Sequence, residues 1–275
     1  MIRKLRPVLR WHGGKWMLAP WIISRFPEHR VYTEAFGGAA SVLLQKPRSY
    51  SEVYNDLDCQ VVNLFRVLQD LGAEKRLKDL LLVTPFAREE FSLAYEPSED
   101  PVEGARRLII RSFMGFGSNA HNPKITTGFR ANSNRSGTIP AKDWMNYPRY
   151  LDLFTERFRG VVVENREAVD VILQHDTPKT LHYVDPPYPH SSRSDGRGDY
   201  SFEMTDEQHR SLSEVLHRTK GMVIISGYRC DLYEELYDGW HSVERRALAD
   251  GARERVEVLW ANAAAVKHQN ELFTK

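Results

Sequence analysis

Short apolar runs alternate with stretches of helical spacing along most of the chain. The runs typical of strands are Val31–Ala35, Glu52–Tyr54, Val161–Val163, Thr180–Val184, Met222–Ser226 and Arg255–Trp260. Apolar residues three or four apart predict helices over Trp16–Phe26, Ala39–Leu44, Gln60–Leu71, Leu77–Leu82, Ala105–Phe113, Glu167–Leu173, Thr205–Leu216 and Leu232–Leu236. This alternation predicts an α/β fold with a mostly parallel sheet, whose ligands bind at the carboxyl ends of the strands.

The middle of the chain interrupts this alternation. Residues 71–157 hold helical segments followed by a polar stretch, 114–144, which is rich in Gly, Asn, Ser and Thr. A loop of this length in a compact domain is usually functional or mobile. We therefore expect one domain made of residues 1–70 and 158–275, interrupted by a mostly helical insertion at 71–157.

Composition narrows the class of protein only slightly. The chain has 275 residues, 41% of them hydrophobic, which is ordinary for a globular protein. We see no apolar run that approaches the roughly 18 residues of a membrane helix, and no signal peptide. Cys59 and Cys230 lie far apart and show no zinc-site spacing. We therefore expect a cytoplasmic protein with reduced thiols.

Charge is distributed unevenly along the chain. The net charge is only +1, but residues 105–160 carry ten basic and three acidic residues, an excess of seven positive charges. The acidic ones are Asp143, Asp152 and Glu156, and the basic ones are Arg106, Arg107, Arg111, Lys124, Arg130, Arg135, Lys142, Arg149, Arg157 and Arg159. Such a stripe suits phosphate binding, and it equally suits a solvated helical surface.

The strongest chemical signal is the tetrad Asp185-Pro186-Pro187-Tyr188, directly after a predicted strand. The two prolines have no N–H and make the backbone rigid, which leaves local carbonyls free as acceptors. A carboxylate and a carbonyl can together accept both hydrogens of an exocyclic amine and free its lone pair. The tyrosine ring can stack on a base taken out of a duplex. The alternative is a simple turn that Asp185 caps.

Three further segments could hold a nucleoside cofactor. In the segment 32–41 a predicted strand runs into small residues and then a predicted helix, so that backbone can approach a ligand closely. Asp56 follows the next strand, where a carboxylate can accept hydrogen bonds from ribose hydroxyls. Trp11 and Lys15 flank two glycines and offer a flat surface and a charge. Each segment alone could equally be a tight turn, a surface aspartate or a helix start.

Taken together, these residues resemble the alpha group of DNA adenine methyltransferases, the Dam-type or D12 class. The order matches: Trp11–Lys15, then Glu34–Gly38, Asp56, the basic insertion and Asp185–Tyr188. The resemblance implies a Rossmann-like class I methyltransferase sheet with helices on both faces, plus an inserted, mostly helical target-recognition domain. It implies S-adenosyl-L-methionine as the cofactor and N6 of adenine as the acceptor. Alanine at 35 and 40 replaces the proline and the last glycine that are usual in the family's loop.

The resemblance also implies which residues act. Asp185, Pro186 and Tyr188 would be catalytic, and the cofactor would contact Trp11, Gly14, Lys15, Glu34, Phe36, Gly38, Asp56 and Asp185. The loop 113–119 is similar to the family's aromatic and glycine-rich recognition loop. Candidate contacts to double-stranded DNA are Arg111, Ser118, Asn119, Lys124, Arg130, Asn132 and Arg135. We expect no metal and no membrane, and a monomer in solution or a dimer on DNA.

Other functions fit the sequence less well. Cytosine-N4 methylation attacks a similar amine, but serine is commoner than aspartate at the first position of that tetrad. A DNA-binding regulator without activity would not need the tetrad, Lys15 and Asp56 together. A NAD-dependent dehydrogenase is a third possibility, but the chain has no GxGxxG loop. The recognition sequence is not determined by any of these features.

Overall fold

The computed structural model describes residues 5–123, 125–131, 139–192, 202–248 and 254–267. The chain forms two compact units. The helical unit comprises Met1–Gly14 and Asp58–Arg159, and the sheet unit comprises Lys15–Leu57 and Gly160–Lys275. All of the predicted insertion, residues 71–157, belongs to the helical unit.

The sheet unit contains one sheet of seven described strands. They are β1 (Val31–Glu34), β2 (Ser51–Asn55), β3 (Val161–Glu164), β4 (Thr180–Val184), β5 (Met222–Gly227), β6 (His241–Leu248) and β7 (Glu254–Ala261), in the order β3-β2-β1-β4-β5-β7-β6. The first five strands in this order are parallel, and β7 is antiparallel to β5 and β6. This confirms the predicted α/β class and mostly parallel sheet.

Helices divide between the two units. The described α-helices are α1 (Ala19–Ile23), α2 (Cys59–Gln69), α3 (Leu71–Val83), α4 (Arg88–Leu93), α5 (Pro101–Met114), α6 (Pro140–Asn146), α7 (Leu151–Phe158), α8 (Ala168–His175), α9 (Asp206–Arg218) and α10 (Asp231–Leu236). Helices α2 to α7 form the helical unit, and the other four belong to the sheet unit. In the described part of the chain, none has the length and apolar character needed to cross a bilayer.

Both faces of the central strands are covered. Every residue of β4 and β5 is buried, as expected for parallel strands between two layers. On one face Val184, Ile225 and Trp260 join a core with residues of α8, α9 and α10. On the other face the rings of Tyr32 and Tyr183 lie 5.7 and 5.8 Å from that of Phe26, just after α1. Successive side chains of a strand point to opposite faces of the sheet, and this alternation determines the layer against which each side chain packs.

Two elements differ from the sequence prediction. The helix predicted over Ala39–Leu44 is wrong, because these residues form consecutive turns and Ala40 has a φ of +52°. Strand β6 was not predicted, since its sequence HSVERRAL is mostly polar. It pairs with β7 along its whole length, so backbone hydrogen bonding to a neighbour decides its structure. A pattern search for apolar alternation cannot find such an edge strand.

The helical unit extends beyond the predicted insertion. It also includes the N-terminal segment and α2, which the sequence analysis assigned to the sheet domain. The Phe65 ring of α2 stacks on that of Phe158 at 4.1 Å, and the Tyr147 hydroxyl donates to the carbonyl of Val8. The apolar face of α2 therefore packs on other helices of its own unit, a choice that its amphipathic pattern alone does not specify.

Candidate active site

Asp185 follows β4 at its carboxyl end, at the start of the tetrad. Three donors of the sheet unit converge on its Oδ1 atom: Lys15 Nζ at 2.9 Å, Ser226 Oγ at 2.7 Å and Tyr188 Oη at 3.2 Å. The Tyr183 hydroxyl lies 3.1 Å from Ser226 Oγ and extends this chain of hydrogen bonds. Among the described residues no donor bonds to Oδ2. The arrangement fixes one carboxylate oxygen and leaves the second as an acceptor.

The side chain of Tyr188 is buried rather than exposed to solvent. Its side chain is 3% exposed, and its ring packs edge-to-face on that of Tyr228 with centroids 4.7 Å apart. Lys15 Nζ lies 4.8 Å from the ring centroid, and the hydroxyl donates to Glu257 Oε1. A base could stack on this ring only if a face of it became uncovered. In this structure Tyr188 acts as a hydrogen-bond donor.

Lys15 and Glu257 complete a buried charged cluster. Their exposed fractions are 6% and 3%, and Lys15 Nζ is 3.8 Å from Glu257 Oε1. The pKa of Glu257 is raised to about 7, chiefly by burial; Lys15 opposes the shift and the nearby Asp185 carboxylate adds to it. One ammonium therefore faces two carboxyl groups. Lys15 is a predicted cofactor contact, and in this structure its nearest carboxylate is Asp185.

The loop after β1 is held against β2. A Cβ atom on Gly37 would overlap the Tyr54 ring, so only glycine fits there, and the Tyr54 hydroxyl donates to the carbonyl of Gly38. Gly38 has a φ of +46°, and its N–H donates to Asp56 Oδ2 at 2.7 Å. Asp56, the predicted ribose carboxylate, thus also fixes the conformation of the predicted cofactor loop.

Asn55 ties three strand ends together, a role that the sequence analysis did not assign. Its Nδ2 donates to the carbonyls of Ala35 and Arg166 at 2.9 and 3.0 Å, and its Oδ1 accepts from the Arg166 N–H. Next to it, Asn165 Nδ2 donates to the carbonyl of Asp56 at 2.7 Å. These bonds join the segments that follow β1, β2 and β3. The carboxyl edge of the sheet is therefore rigidly built where a nucleoside would bind.

Glu34 and Phe36 stabilise this edge through contacts inside the sheet unit. Glu34 is 3% exposed, and its Oε2 accepts from the Tyr32 hydroxyl at 2.7 Å and from the Leu43 N–H at 2.9 Å. The carboxylate therefore also organises the turns that replace the predicted helix. Phe36 is half-buried against the core that α8, α9 and α10 share.

Two predicted cofactor residues belong to the helical unit. Trp11 stacks on His121, with ring centroids 3.8 Å apart, and the Gly14 N–H donates to the carbonyl of Trp11. Lys15, the next residue, begins the sheet unit. Lys15, Glu34, Phe36, Gly38, Asp56 and Asp185 all belong to the sheet unit, and the cofactor contacts of all eight residues stay predictions.

Arg111, a predicted DNA contact, is a structural residue of the helical unit. It is 3% exposed and donates to the carbonyls of His121 and Ala94 and to Gln60 Oε1. Burial lowers its pKa to about 10. A guanidinium that is buried on protein acceptors is not available to a phosphate. The expectation for Arg111 is therefore corrected.

The other DNA candidates are placed only in part. Ser118 and Asn119 lie in the 3-10 helix Ser118–His121, and Arg130 donates to the carbonyl of Phe113 at 3.0 Å. Lys124, Asn132 and Arg135 lie outside the described residues. These candidates stay predictions.

The basic stripe is weaker than its sequence count. Arg106 and Arg107 pair with Glu103, and Arg106 also pairs with Glu90. Arg159 pairs with Glu156 on the surface. Glu90 and Glu103 precede the counted segment 105–160, so the count included the cations without their partners. An excess of charge in a sequence window need not be an excess on the folded surface.

Sequence reasoning missed Ser226, Tyr228 and Glu257. Ser226 and Tyr228 lie at the end of β5 and just after it, where the strand pattern alone gives no chemical signal. Glu257 carried a signal, because it is a carboxylate between valines in a strand whose next four residues are buried. An acidic residue at a buried strand position needs a partner.

Two comparisons with known proteins bear on this site. A DNA adenine methylase from Serratia marcescens is 25% identical over 248 residues, which cover 86% of this chain and 88% of the methylase. The model of the D12 class N6 adenine-specific DNA methyltransferase family matches residues 11–248, which include every group of the site except Glu257. Since this match spans far more than half of the chain, the protein belongs to the D12 class N6 adenine-specific DNA methyltransferases.

Proposed function

We propose that this adenine-specific DNA methyltransferase takes its methyl group from S-adenosyl-L-methionine and acts on an adenine that has left the duplex. The observation that carries the proposal is the Asp185 carboxylate, with Oδ1 held by Lys15 and Ser226 and with the Tyr188 hydroxyl 3.2 Å away. Oδ2 can then accept one hydrogen of the N6 amine. The carbonyl of Pro186 is suited to accept the other, because neither it nor Pro187 adds a competing N–H.

The sheet unit fits the proposed methyl donor in charge and shape. When bound, the donor supplies a methyl group on an electrophilic sulfonium. The Asp185 carboxylate, at the carboxyl end of β4, offers a negative charge for the cationic sulfonium and amino groups of the donor. The Gly37–Gly38 backbone and the Asp56 carboxylate suit its nucleoside part.

Orientation accounts for most of the expected rate enhancement. Holding the amine in line with the methyl group can lower the barrier by roughly 7–11 kcal/mol in favourable systems. Asp185 can do this because its position is set by two donors, Lys15 and Ser226, from two segments of the sheet unit. The amine needs no strong base, since its proton can leave after the new bond to carbon forms.

We also propose that the helical unit recognises the target. The Phe116 ring, in the loop that resembles the recognition loop of the family, is 73% exposed. Large exposed apolar side chains often mark binding surfaces. Ser118, Asn119 and Arg130 lie in or near this loop, together with Lys124, Asn132 and Arg135 in the sequence.

Replacing Asp185 tests the proposal. Asp185→Ala should lower methyl transfer to duplex DNA by more than about a thousandfold, because the amine loses both its acceptor and its orientation. Calorimetry should still detect binding of S-adenosyl-L-methionine. Mass spectrometry of digested DNA measures N6-methyladenine, and it would also show N4-methylcytosine.

The matched control is Asp170→Ala, which removes an exposed carboxylate from α8 in the same unit and should leave the activity unchanged. An Asp185→Ala enzyme that methylates at the normal rate would refute the role of Asp185. A wild-type enzyme that binds DNA but cannot use S-adenosyl-L-methionine would refute the proposed donor.

A further inference from the structure

Glu257 lies on β7 where an apolar residue would be expected. Val258 and Trp260 point into the core that α8, α9 and α10 share, so Glu257 faces the opposite layer of the sheet. Its side chain is only 3% exposed. Burying a carboxylate costs free energy unless nearby groups compensate for it. The identity of those groups indicates why the glutamate is there.

The groups that compensate Glu257 are those of the tetrad site. Tyr188 donates its hydroxyl to Oε1, and Lys15 Nζ lies 3.8 Å from the same atom. The charged and titratable groups that face Glu257 come from every neighbouring segment: Lys15, Tyr183, Asp185, Tyr188, Tyr228 and, opposite it on β6, Arg245. Among the described residues, the side-chain contacts of Glu257 are with groups of this site.

A tyrosine hydroxyl has one proton and can donate it to one acceptor at a time. Tyr188 Oη lies 3.2 Å from Asp185 Oδ1 and forms its shorter contact with Glu257. With Glu257 as the acceptor, Asp185 keeps its stronger donors, Lys15 and Ser226. The hydroxyl bond and the contact with Tyr228 also fix the Tyr188 ring at two points.

We propose that Glu257 is a positioning residue for methyl transfer: by accepting the Tyr188 hydroxyl it fixes the ring and keeps that hydroxyl from occupying Asp185. The inference rests on the proposed function, since it assigns Glu257 a part in presenting the amine to the methyl donor. Glu257 itself touches neither substrate. Its effect passes through Tyr188 and Asp185.

Two substitutions separate the acceptor from the charge. Glu257→Leu removes both oxygens and should lower kcat by about 10- to 100-fold, the effect of a misplaced reacting group, with little change in KM for S-adenosyl-L-methionine. Glu257→Gln keeps an acceptor oxygen and should recover activity to within about fivefold of wild type. In a Tyr188→Phe background, where no hydroxyl needs an acceptor, Glu257→Leu should change kcat by less than about threefold.

The matched control is Glu244→Gln on β6, an exposed glutamate that pairs with Arg229 away from the tetrad, and it should behave as wild type. Thermal unfolding should show that Glu257→Leu folds at least as stably as wild type, because a buried carboxyl is replaced by an apolar side chain. Normal kcat in Glu257→Leu, equal losses in the Leu and Gln variants, or independent losses in the Tyr188→Phe background would each overturn the inference. Inactivity of wild type and Glu244→Gln would instead refute the proposed function.

Discussion

At the scale of residues, the arrangement of the site is clearest in the hydrogen bonds around one oxygen atom, Asp185 Oδ1. Asp185 Oδ1 is held by an ammonium and a serine hydroxyl, while a tyrosine hydroxyl within reach is bonded to Glu257. Two carboxyl groups share one lysine in a buried setting. The charge on Glu257 therefore affects how strongly it holds the Tyr188 hydroxyl.

Glu257 should produce an acid limb in the rate profile. Its pKa is raised to about 7, chiefly by burial, so below this pH it carries a proton and no longer competes as a carboxylate for the Tyr188 hydroxyl. We expect kcat/KM for S-adenosyl-L-methionine, which reports on the free enzyme, to fall below that point and to level off within about fivefold of its maximum, because protonated Glu257 keeps a neutral acceptor oxygen as Glu257→Gln does. Glu257→Gln should flatten the limb, and a limb that persists in this variant would assign it to another group.

The same shift has a consequence for stability with a definite sign. The folded pKa of about 7 lies above the ordinary value of 4.5, so the folded state binds the proton more tightly between these two values. The contribution of Glu257 to stability is therefore greatest below 4.5 and declines as the pH rises towards 7. Urea unfolding across this range should show that the free energy of unfolding of wild type, minus that of Glu257→Gln, decreases as the pH rises, because all other titrating groups are common to both proteins.

At the scale of elements, the backbone of the loop after β1 packs closely against an aromatic ring of β2. Gly37 lies against Tyr54 of β2, and Gly38 and Ala40 both have positive φ angles. Ala40 tolerates this where glycine is usual, at a cost of roughly 1 kcal/mol. The side chains of β2 therefore shape a loop that belongs to β1.

Gly37→Ala should disrupt that loop. The added Cβ would overlap the Tyr54 ring, so the loop or the ring must move, which should cost about 1–3 kcal/mol in the free energy of unfolding. Because Gly38 and Asp56 would shift with it, calorimetry should show weaker binding of S-adenosyl-L-methionine, by about tenfold.

Gly104→Ala is the matched control. A Cβ at this position of α5 would lie 3.6 Å from Asn63 Nδ2, an ordinary contact. Alanine within a helix should stabilise the protein by about 0.5–1 kcal/mol and leave cofactor affinity unchanged. If Gly37→Ala binds the cofactor as wild type does, the loop is not part of the site.

At the scale of the whole molecule, the basic residues fall into two groups, those bonded within the protein and those exposed on its surface. Arg106, Arg107 and Arg111 of α5 are bonded within the helical unit, whereas Lys142 of α6 is exposed. Counting charges along the sequence treats all of them alike. Folding separates the cations that hold helices together from those that remain on the surface for a polyanion.

Arg111→Met should therefore change stability and not DNA binding, whereas Lys142→Met should change DNA binding and not stability. Arg111→Met leaves buried carbonyls without a donor and should lower the free energy of unfolding by about 2–4 kcal/mol, while the salt dependence of DNA binding stays unchanged. Lys142→Met should leave stability unchanged and, if it contacts a phosphate, reduce the slope of log K against log salt by about 0.9. A reduced slope for a fully stable Arg111→Met protein would restore Arg111 as a DNA contact.

The sequence by itself determined the α/β class, most strands, the tetrad and the residues that resemble a known family, because these depend on local periodicity and contiguous motifs. Only the tertiary structure decided that Ser226 meets Asp185 and Glu257 meets Tyr188, that Arg111 is buried, that β6 is a strand and that Ala39–Leu44 is not a helix. Each of these depends on a partner far away in the chain. Local pattern predicts which face a side chain takes, but the neighbouring strand or helix determines what that side chain meets.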